Sequence, residues 1–382
     1  MDLNPSFKNR LSHSLEKRRD ECLLRSIPDP REIRINLSSN DYLNLRMHPD
    51  VIQAGAHAAS IYGSGSGASP LLSGFCPLHQ QLLDSLKHWT GKPCGLLFNT
   101  GFMANQALIH HLPGPRDFVL ADKQVHHSFQ QALAHSRTKF ARFQHNDLDH
   151  LETLLRKNRD HHETLFVATE SLYSMDGDSP DLPGIAELKR RYGFVWILDE
   201  AHALGLYGEQ GQGLAQEAGV LPDVDILVGT LGKTLASVGA FVLTDAAVIV
   251  DYLTNYAGEL IYSTFLPPSA AGTALAALDR VQVSREAALD LKDRSKKFRC
   301  LLADSGHKTM EGDSPIVPLI LENPEIVLSA HTALLERGIL AGAVRPPTVP
   351  AGSSRLRLSL HAGLQEQDLL ETLEIINQCR VT

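Results

Sequence analysis

Lysine, aspartate, histidine and threonine side chains that follow short apolar runs are where chemistry is to be sought, because ligands of an open parallel sheet collect beyond the carboxyl ends of its strands. Four such places occur. The run Val195–Leu198 is followed by Asp199 and, three residues on, by His202. The run Ile226–Val228 leads to Thr230 and Lys233, and Phe118–Leu120 leads to Asp122, His126 and His127. Gly95–Phe98 leads to Thr100 and Gly101, which open a helix. Singly, each has a plain structural account: a solvated lysine, a helix-capping aspartate, a satisfied core or surface histidine.

Together these residue types make up what pyridoxal 5'-phosphate (PLP) requires. The cofactor needs a lysine amine for its aldehyde, a carboxylate that keeps the pyridine nitrogen protonated, donors for its phosphate and a flat partner for its ring. Lys233 lies between two apolar runs, so burial can keep part of its amine unprotonated. The helix start at Thr100-Gly101 offers free N–H groups to a phosphate. Metal hydrolysis is the competing use of the histidines. It lacks support, because no H-E-x-x-H occurs and His126 and His127 are adjacent rather than on one helix face.

Gly63, Gly65 and Ala68 have the spacing of a dinucleotide-binding loop, which would imply hydride transfer. That fingerprint has meaning only after a strand and at a helix start, whereas Val51–Tyr62 reads as a helix and Pro70 follows at once. A glycine-rich turn is the better account.

The elements that must position these groups are legible. From Gly91 on, short apolar runs, with Leu165–Thr169 among them, alternate with helical patterns, which argues for an α/β fold with a mostly parallel sheet. Ile226–Leu253 reads as two buried strands around a loop rather than a membrane span, because it carries Lys233 and several small polar residues. Leu78, Leu82, Leu83 and Leu86 share a helix face that Gly91 can close, and Asp147 can cap a helix whose Leu148, Leu151, Leu154 and Leu155 point inward. A charged helix over Lys8–Leu24 and a short apolar piece, Ile33–Leu37, suggest an arm. A polar helix near Ser284–Leu302 leads to strand-like pieces Ile316–Leu321 and Arg355–Leu360, read as a second α+β domain. The expected division is thus an N-terminal helix and arm over 1–45, a large domain over 46–280 and a small C-terminal domain over 281–382.

The chain has 382 residues, enough for one large core and an appended domain, and 43% are hydrophobic. A net charge of -8 argues against a nucleic-acid binder, which needs a concentrated basic surface. The local basic group Lys17, Arg18, Arg19 and Arg25 is a solvated helix face or a substrate contact. Five scattered cysteines with no C-x-x-C suggest neither a disulfide framework nor a cysteine zinc site. MDLNPSFKNR has no apolar stretch to serve as a signal peptide. A cytoplasmic protein without membrane partners is expected.

Several segments carry a resemblance. They are Ser38-Ser39-Asn40-Asp41-Tyr42-Leu43, Ser73-Gly74-Phe75 with His79, Thr100-Gly101-Phe102, His145-Asn146-Asp147, Glu170 with Ser174-Met175-Asp176-Gly177-Asp178, Asp199-Glu200-Ala201-His202, Thr230-Leu231-Gly232-Lys233 and Tyr262-Ser263-Thr264. In this order and spacing, from about residue 18 to residue 363, the chain resembles the α-oxoamine synthases. The resemblance implies a fold-type I, PLP-dependent homodimer with a seven-stranded sheet. It implies decarboxylative condensation of an amino acid with an acyl thioester of CoA or a carrier protein, the amino acid being L-alanine in the branch most resembled and glycine in others.

By position, the resemblance implies that Lys233 holds the cofactor, Asp199 pairs with its ring nitrogen, His126 stacks on the ring, and His202 and Ser174 contact the phenolic oxygen. Thr100, Gly101, Phe102 and Thr230 would meet the phosphate, with Ser263 and Thr264 reaching it from the other subunit. Arg357 would grip the amino acid's carboxylate, Asn40 would lie near the substrate and Arg25 would meet the far carboxyl of the acyl chain. A protein of this fold without catalysis is the alternative of another class. Ala68, Pro70, Thr234 and Ala236 depart from the family pattern, and the last two imply a tighter turn after Lys233.

Overall fold

The computed structural model describes residues 3–27 and 33–379. Residues 1–2, 28–32 and 380–382, which belong to the expected arm and C-terminal domain, lie outside the described part. The chain first lays down β1 (Ile35–Leu37) and then the strands of one sheet: β2 (Cys94–Phe98), β3 (Phe118–Asp122), β4 (Lys139–Phe143), β5 (Leu165–Glu170), β6 (Val195–Asp199), β7 (Ile226–Thr230) and β8 (Ala240–Thr244). There follow β9 (Lys308–Thr309), β10 (Ile316–Glu322), β11 (Ile339–Val344) and β12 (Ser354–Ser359). Two compact units result. The larger spans residues 40–174 and 178–291; the smaller holds the residues up to 39, 175–177 and those from 292 on.

The larger unit is built on a seven-stranded sheet of order β2-β8-β7-β6-β5-β3-β4. β4, β3, β5, β6 and β7 are mutually parallel, and β8 runs antiparallel to both its neighbours. Every residue of β5 is buried. This is why the central strands read as continuous apolar runs rather than alternating ones. β4 is one of the two edge strands, with Lys139 and Phe140 exposed and Phe143 buried, and its mixed sequence carries no apolar run. Helices flank the sheet. Pro77–Thr90 ends at Gly91, whose φ of 76° is the left-handed conformation that glycine supplies without strain. In Leu148–Asn158 the Asp147 side chain accepts the His150 N–H at 2.8 Å. The helix Pro49–Tyr62, not a strand, runs directly into Gly63, so the Gly63, Gly65, Ala68 spacing is not a dinucleotide loop.

The smaller unit carries a five-stranded sheet of order β1-β11-β12-β10-β9. β1 pairs parallel to β11, Ile35 opposite Ile339, and the other pairings are antiparallel. Residues expected to form a separate arm are thus partly a sheet strand, because the β1 backbone finds its hydrogen-bond partners on β11. Met175–Gly177 joins this unit although it is distant in sequence: the Ser314 hydroxyl donates to the Gly177 carbonyl at 2.7 Å, and Arg355 pairs with Asp176. No described helix is long and apolar enough to cross a membrane.

Candidate functional site

At the carboxyl edge of the larger sheet lies a cavity of about 150 Å³, and Asp199, Thr230, Lys233, His126 and His202 all line it. They arrive there for one reason: each follows the last residues of a parallel strand or ends one.

Lys233 sits half-buried in the turn after β7. The turn is closed by the Leu231 N–H on the Gly239 carbonyl and the Ser237 N–H on the Leu231 carbonyl, both 2.9 Å. Ala236 has a φ of 52°, a left-handed conformation that costs a residue with a β-carbon on the order of 1 kcal/mol. Thr234 is buried against Gly205, where a β-carbon would come within 2.3 Å of the Thr234 methyl. The turn is therefore closely packed, with the space taken from a glycine opposite.

Asp199 ends β6 and is 6% exposed. Its Oδ2 accepts from Asn105 Nδ2 at 3.0 Å and its Oδ1 from the Ala201 N–H at 2.9 Å. Two N–H donors on one buried carboxylate are what an ionised group needs. Asn105 stands one helical turn beyond Gly101 on the helix Gly101–His111, and its Nδ2 also donates to Ser128 Oγ at 3.1 Å. The Ser128 hydroxyl lies 2.7 Å from His126 Nδ1, which also caps the helix His127–His135 by accepting the Ser128 N–H. An Asp199, Asn105, Ser128, His126 chain follows. His126 Nδ1 accepts the Ser128 N–H at 3.3 Å, so it carries no proton and the imidazole is neutral with its proton on Nε2. Burial lowers the His126 pKa, helped by the charge of Lys233 and opposed by Asp199. The Phe102 ring meets His126 edge-on at 6.4 Å.

Glu170 ends β5 directly opposite Asp199 in the parallel register. It is buried, lines the cavity and accepts the His126 N–H at 2.5 Å. Burial, and then the charge on Asp199, push its carboxyl well above the usual carboxylate range. His202 Nδ1 lies 2.6 Å from the hydroxyl of Tyr42, which is fully buried and also reaches Asn40 Oδ1 at 3.4 Å.

At the other side of the cavity the helix Gly101–His111 begins. Thr100 Oγ1 accepts the Met103 N–H at 3.1 Å, and Gly101 and Phe102 line the space. A β-carbon on Gly101 would meet nothing within 4 Å, so the helix start opens on room for an anion. Thr230 Oγ1 accepts the Gly232 N–H at 3.2 Å and donates to the Gly239 carbonyl at 3.0 Å. An amine, a buried carboxylate held by two N–H donors, a flat imidazole ring and a helix N-terminus around one cavity are the donor set PLP requires.

The remaining expected site residues are not among those lining the cavity. Ser263 and Thr264 are held by Asn99, whose Nδ2 donates to Ser263 Oγ at 2.8 Å and to the Thr264 carbonyl at 2.6 Å. Ser174 is half-buried in the segment after β5 and is not among the residues lining the cavity. Arg357 and Arg25 belong to the smaller unit: Arg357 is buried on β12 beside Ser359, and Arg25 is exposed and donates to Thr348 Oγ1 at 2.9 Å. Sequence reasoning gave no role to Asn105, Ser128, Glu170 or Tyr42. Glu170 carried a signal, since it ends its apolar run as Asp199 does. Asn105 carried a weaker one, four residues beyond Gly101 on the same helix face.

Comparison with known proteins extends this picture. Residues 32–376 match the family of class I and II aminotransferases. The chain is 41% identical over 347 residues to an 8-amino-7-oxononanoate synthase of Geobacter sulfurreducens, covering 90% of this chain and 88% of that one. It is 37% identical to an enzyme of the same name from Vibrio parahaemolyticus, covering 97% of each. Among solved structures it is similar to a serine palmitoyltransferase from S. paucimobilis that holds a PLP–myriocin aldimine, with a TM-score of 0.90, 27% identity and coverage of 99% and 98%. It is also similar to an 8-amino-7-oxononanoate synthase from Francisella tularensis, with a TM-score of 0.77, 28% identity and coverage of 90% and 97%. The fold is that of the fold-type I PLP transferases.

Proposed function

The chain belongs to the class I and II aminotransferases and, within them, to the 8-amino-7-oxononanoate synthases, and we propose that it condenses L-alanine with a pimeloyl thioester, yielding 8-amino-7-oxononanoate, CO2 and the free thiol for biotin biosynthesis. The observation that carries this reading is that Lys233, Asp199 and His126, brought in by three different strands, line one cavity. PLP supplies an electron sink for the bonds broken at the amino acid's α-carbon. Lys233 Nζ holds the cofactor at rest and is the base that moves the α-proton. Asp199, held by two N–H donors, keeps the proton on the ring nitrogen. The neutral imidazole of His126 covers the ring without competing for that carboxylate.

His202 and Ser174 serve the phenolic oxygen, and Thr100, Gly101, Phe102 and Thr230 the phosphate. Arg357 binds the substrate carboxylate with a guanidinium suited to bidentate pairing, Asn40 lies near the substrate, and Arg25 meets the distal carboxyl of the acyl chain. The working form is a homodimer in which Ser263 and Thr264 serve the partner's phosphate site. Leu72, Val248, Tyr256 and Tyr262 of the larger unit support this, being 81%, 71%, 60% and 86% exposed in the single chain. A reducing, cytoplasmic setting fits five free cysteines.

The test offers L-alanine or glycine with pimeloyl-CoA or shorter acyl-CoA esters, and follows free thiol and CO2. Turnover with L-alanine and pimeloyl-CoA is expected. Preference for glycine with a short acyl group points instead to glycine C-acetyltransferase or 5-aminolevulinate synthase chemistry, and no turnover points to a silent scaffold. Borohydride reduction followed by peptide mapping must mark Lys233.

A further inference from the structure

The His145-Asn146-Asp147 segment has no part in the chemistry above, yet its first residue sits in a demanding environment. His145 follows β4 and is 18% exposed. Its Nδ1 lies 2.8 Å from Asp122 Oδ1 and its Nε2 lies 2.9 Å from Asp178 Oδ2. Both carboxylate oxygens are acceptors, so both ring nitrogens must donate, and only the imidazolium has two N–H groups.

Each carboxylate is in turn fixed to a loop. Asp122 ends β3 and is fully buried; its Oδ1 also accepts the Gln124 N–H at 2.7 Å, two residues before His126. Its Oδ2 accepts the Asn146 N–H at 2.9 Å. Asn146 holds a φ of 53°, which asparagine tolerates better than most residues, and its side chain donates to Asp178 Oδ2 at 2.8 Å. The Asp178 carbonyl accepts the Tyr173 N–H at 2.9 Å, next to Ser174, and the Tyr173 ring packs edge-on against His145 at 4.4 Å. Removing the imidazole would leave a fully buried carboxylate short of a donor on one loop and leave the other held by the Asn146 amide alone.

We propose that His145 is a positioning residue of the active site, a two-pronged tie between the loop that presents His126 and the loop that presents Ser174. It acts through those residues and exchanges no proton in the reaction. The proposal rests on the PLP reading for its effect on cofactor binding, but the tie itself belongs to the protein alone. Burial by itself would lower the His145 pKa; the bonds to Asp122 and Asp178 overcome this and raise it to about 9, in keeping with a group that stays charged while the enzyme works.

The experiment compares the wild type with His145→Gln and His145→Lys. Hydrogen exchange of the cofactor-free protein is read over residues 123–127 and 171–174, and PLP affinity and steady-state kinetics are read on the loaded protein. In His145→Gln, exchange rises in both loops together, PLP binds roughly 10- to 100-fold more weakly, and kcat falls while the KM for the acyl thioester moves less than about twofold. His145→Lys, which keeps a charge and several donors, restores part of each effect. Should His145→Gln fail to fold, Asp178→Asn takes its place, and only the 171–174 loop loosens. A variant that loses thermal stability while loop exchange, PLP affinity and kcat stay at wild-type values overturns the proposal, as does loosening of a single loop in His145→Gln. Failure of the wild type itself to bind PLP overturns the functional reading and leaves the exchange test of the tie intact.

Discussion

Replacing Asn105 with alanine tests whether the buried carboxylate at the cavity depends on the amide beside it. Asn105 Nδ2 is one of two N–H donors on Asp199 and also the donor that orders Ser128 against His126. A hydrogen bond to a charged group contributes about 1.5–3 kcal/mol, and a buried acceptor left short loses at least that much. Asn105→Ala is therefore expected to lower the unfolding free energy of the cofactor-free protein by about 2–4 kcal/mol, the bond to Ser128 and the small void included. The assay is urea unfolding in a double-mutant cycle with Asp199→Ala. Without the carboxylate the same Asn105→Ala change has only the Ser128 bond and the void to lose, so a coupling of about 1.5–3 kcal/mol should remain between the two sites. On the loaded protein, PLP affinity should fall by about tenfold or more, since a carboxylate with one donor is free to turn away from the ring nitrogen. Equal costs of Asn105→Ala in both backgrounds would refute the reasoning, because the amide would then be contributing packing alone.

Three further outcomes are expected. The His145 pKa is raised from 6.5 to about 9, so its stabilisation, on the order of 3 kcal/mol, is fully present below about pH 6.5 and is lost as pH rises through about 9; the Tm gap between wild type and His145→Gln should close between pH 7 and about 10. Gly229→Ala would set a β-carbon 2.1 Å from Phe241 Cζ and 2.7 Å from Leu204 Cδ1, so a loss of about 1–3 kcal/mol is expected in thermal unfolding, with PLP bound more weakly because Gly229 lines the cavity. Tyr42→Phe removes the hydroxyl 2.6 Å from His202 Nδ1; kcat should fall about tenfold with PLP retained, and wild-type kcat would mean that His202 is oriented by other contacts.

What was legible in the sequence follows burial. β5, β6 and β7 are buried along almost their whole length, so each wrote itself as an apolar run, and Asp199, Thr230 and Lys233, which end or follow the β6 and β7 runs, line the cavity. β4, exposed along one edge, carried no such run. Helix starts were readable where a side chain caps them, as at Thr100 and Asp147. The place of Ile35–Leu37 was not, because its partner β11 lies about three hundred residues on and nothing local in either strand names the other. The role of Asn105 was hidden for the same reason: a helical asparagine becomes informative only once a carboxylate stands 3.0 Å away.

The two carboxyls at the ends of β5 and β6 carry this reasoning furthest. As sequence, Glu170 and Asp199 are alike: each ends an apolar run and faces a strand end. The register sets them side by side, where two full charges would repel across a buried gap. Their surroundings decide which one gives way. Asp199 accepts two N–H donors and lies 6% exposed, whereas Glu170 is deeper, accepts the His126 N–H and feels Asp199 as its second-largest perturbation after burial. Burial beside Asp199 therefore raises the Glu170 carboxyl, while the residue proposed to face the ring nitrogen is the one held by two N–H donors. A Glu170→Gln change keeps this division and should leave PLP binding nearly intact. Asp199→Asn removes the charge and should abolish tight PLP binding; equal losses in the two variants would mean that the pair shares one charge rather than assigning it.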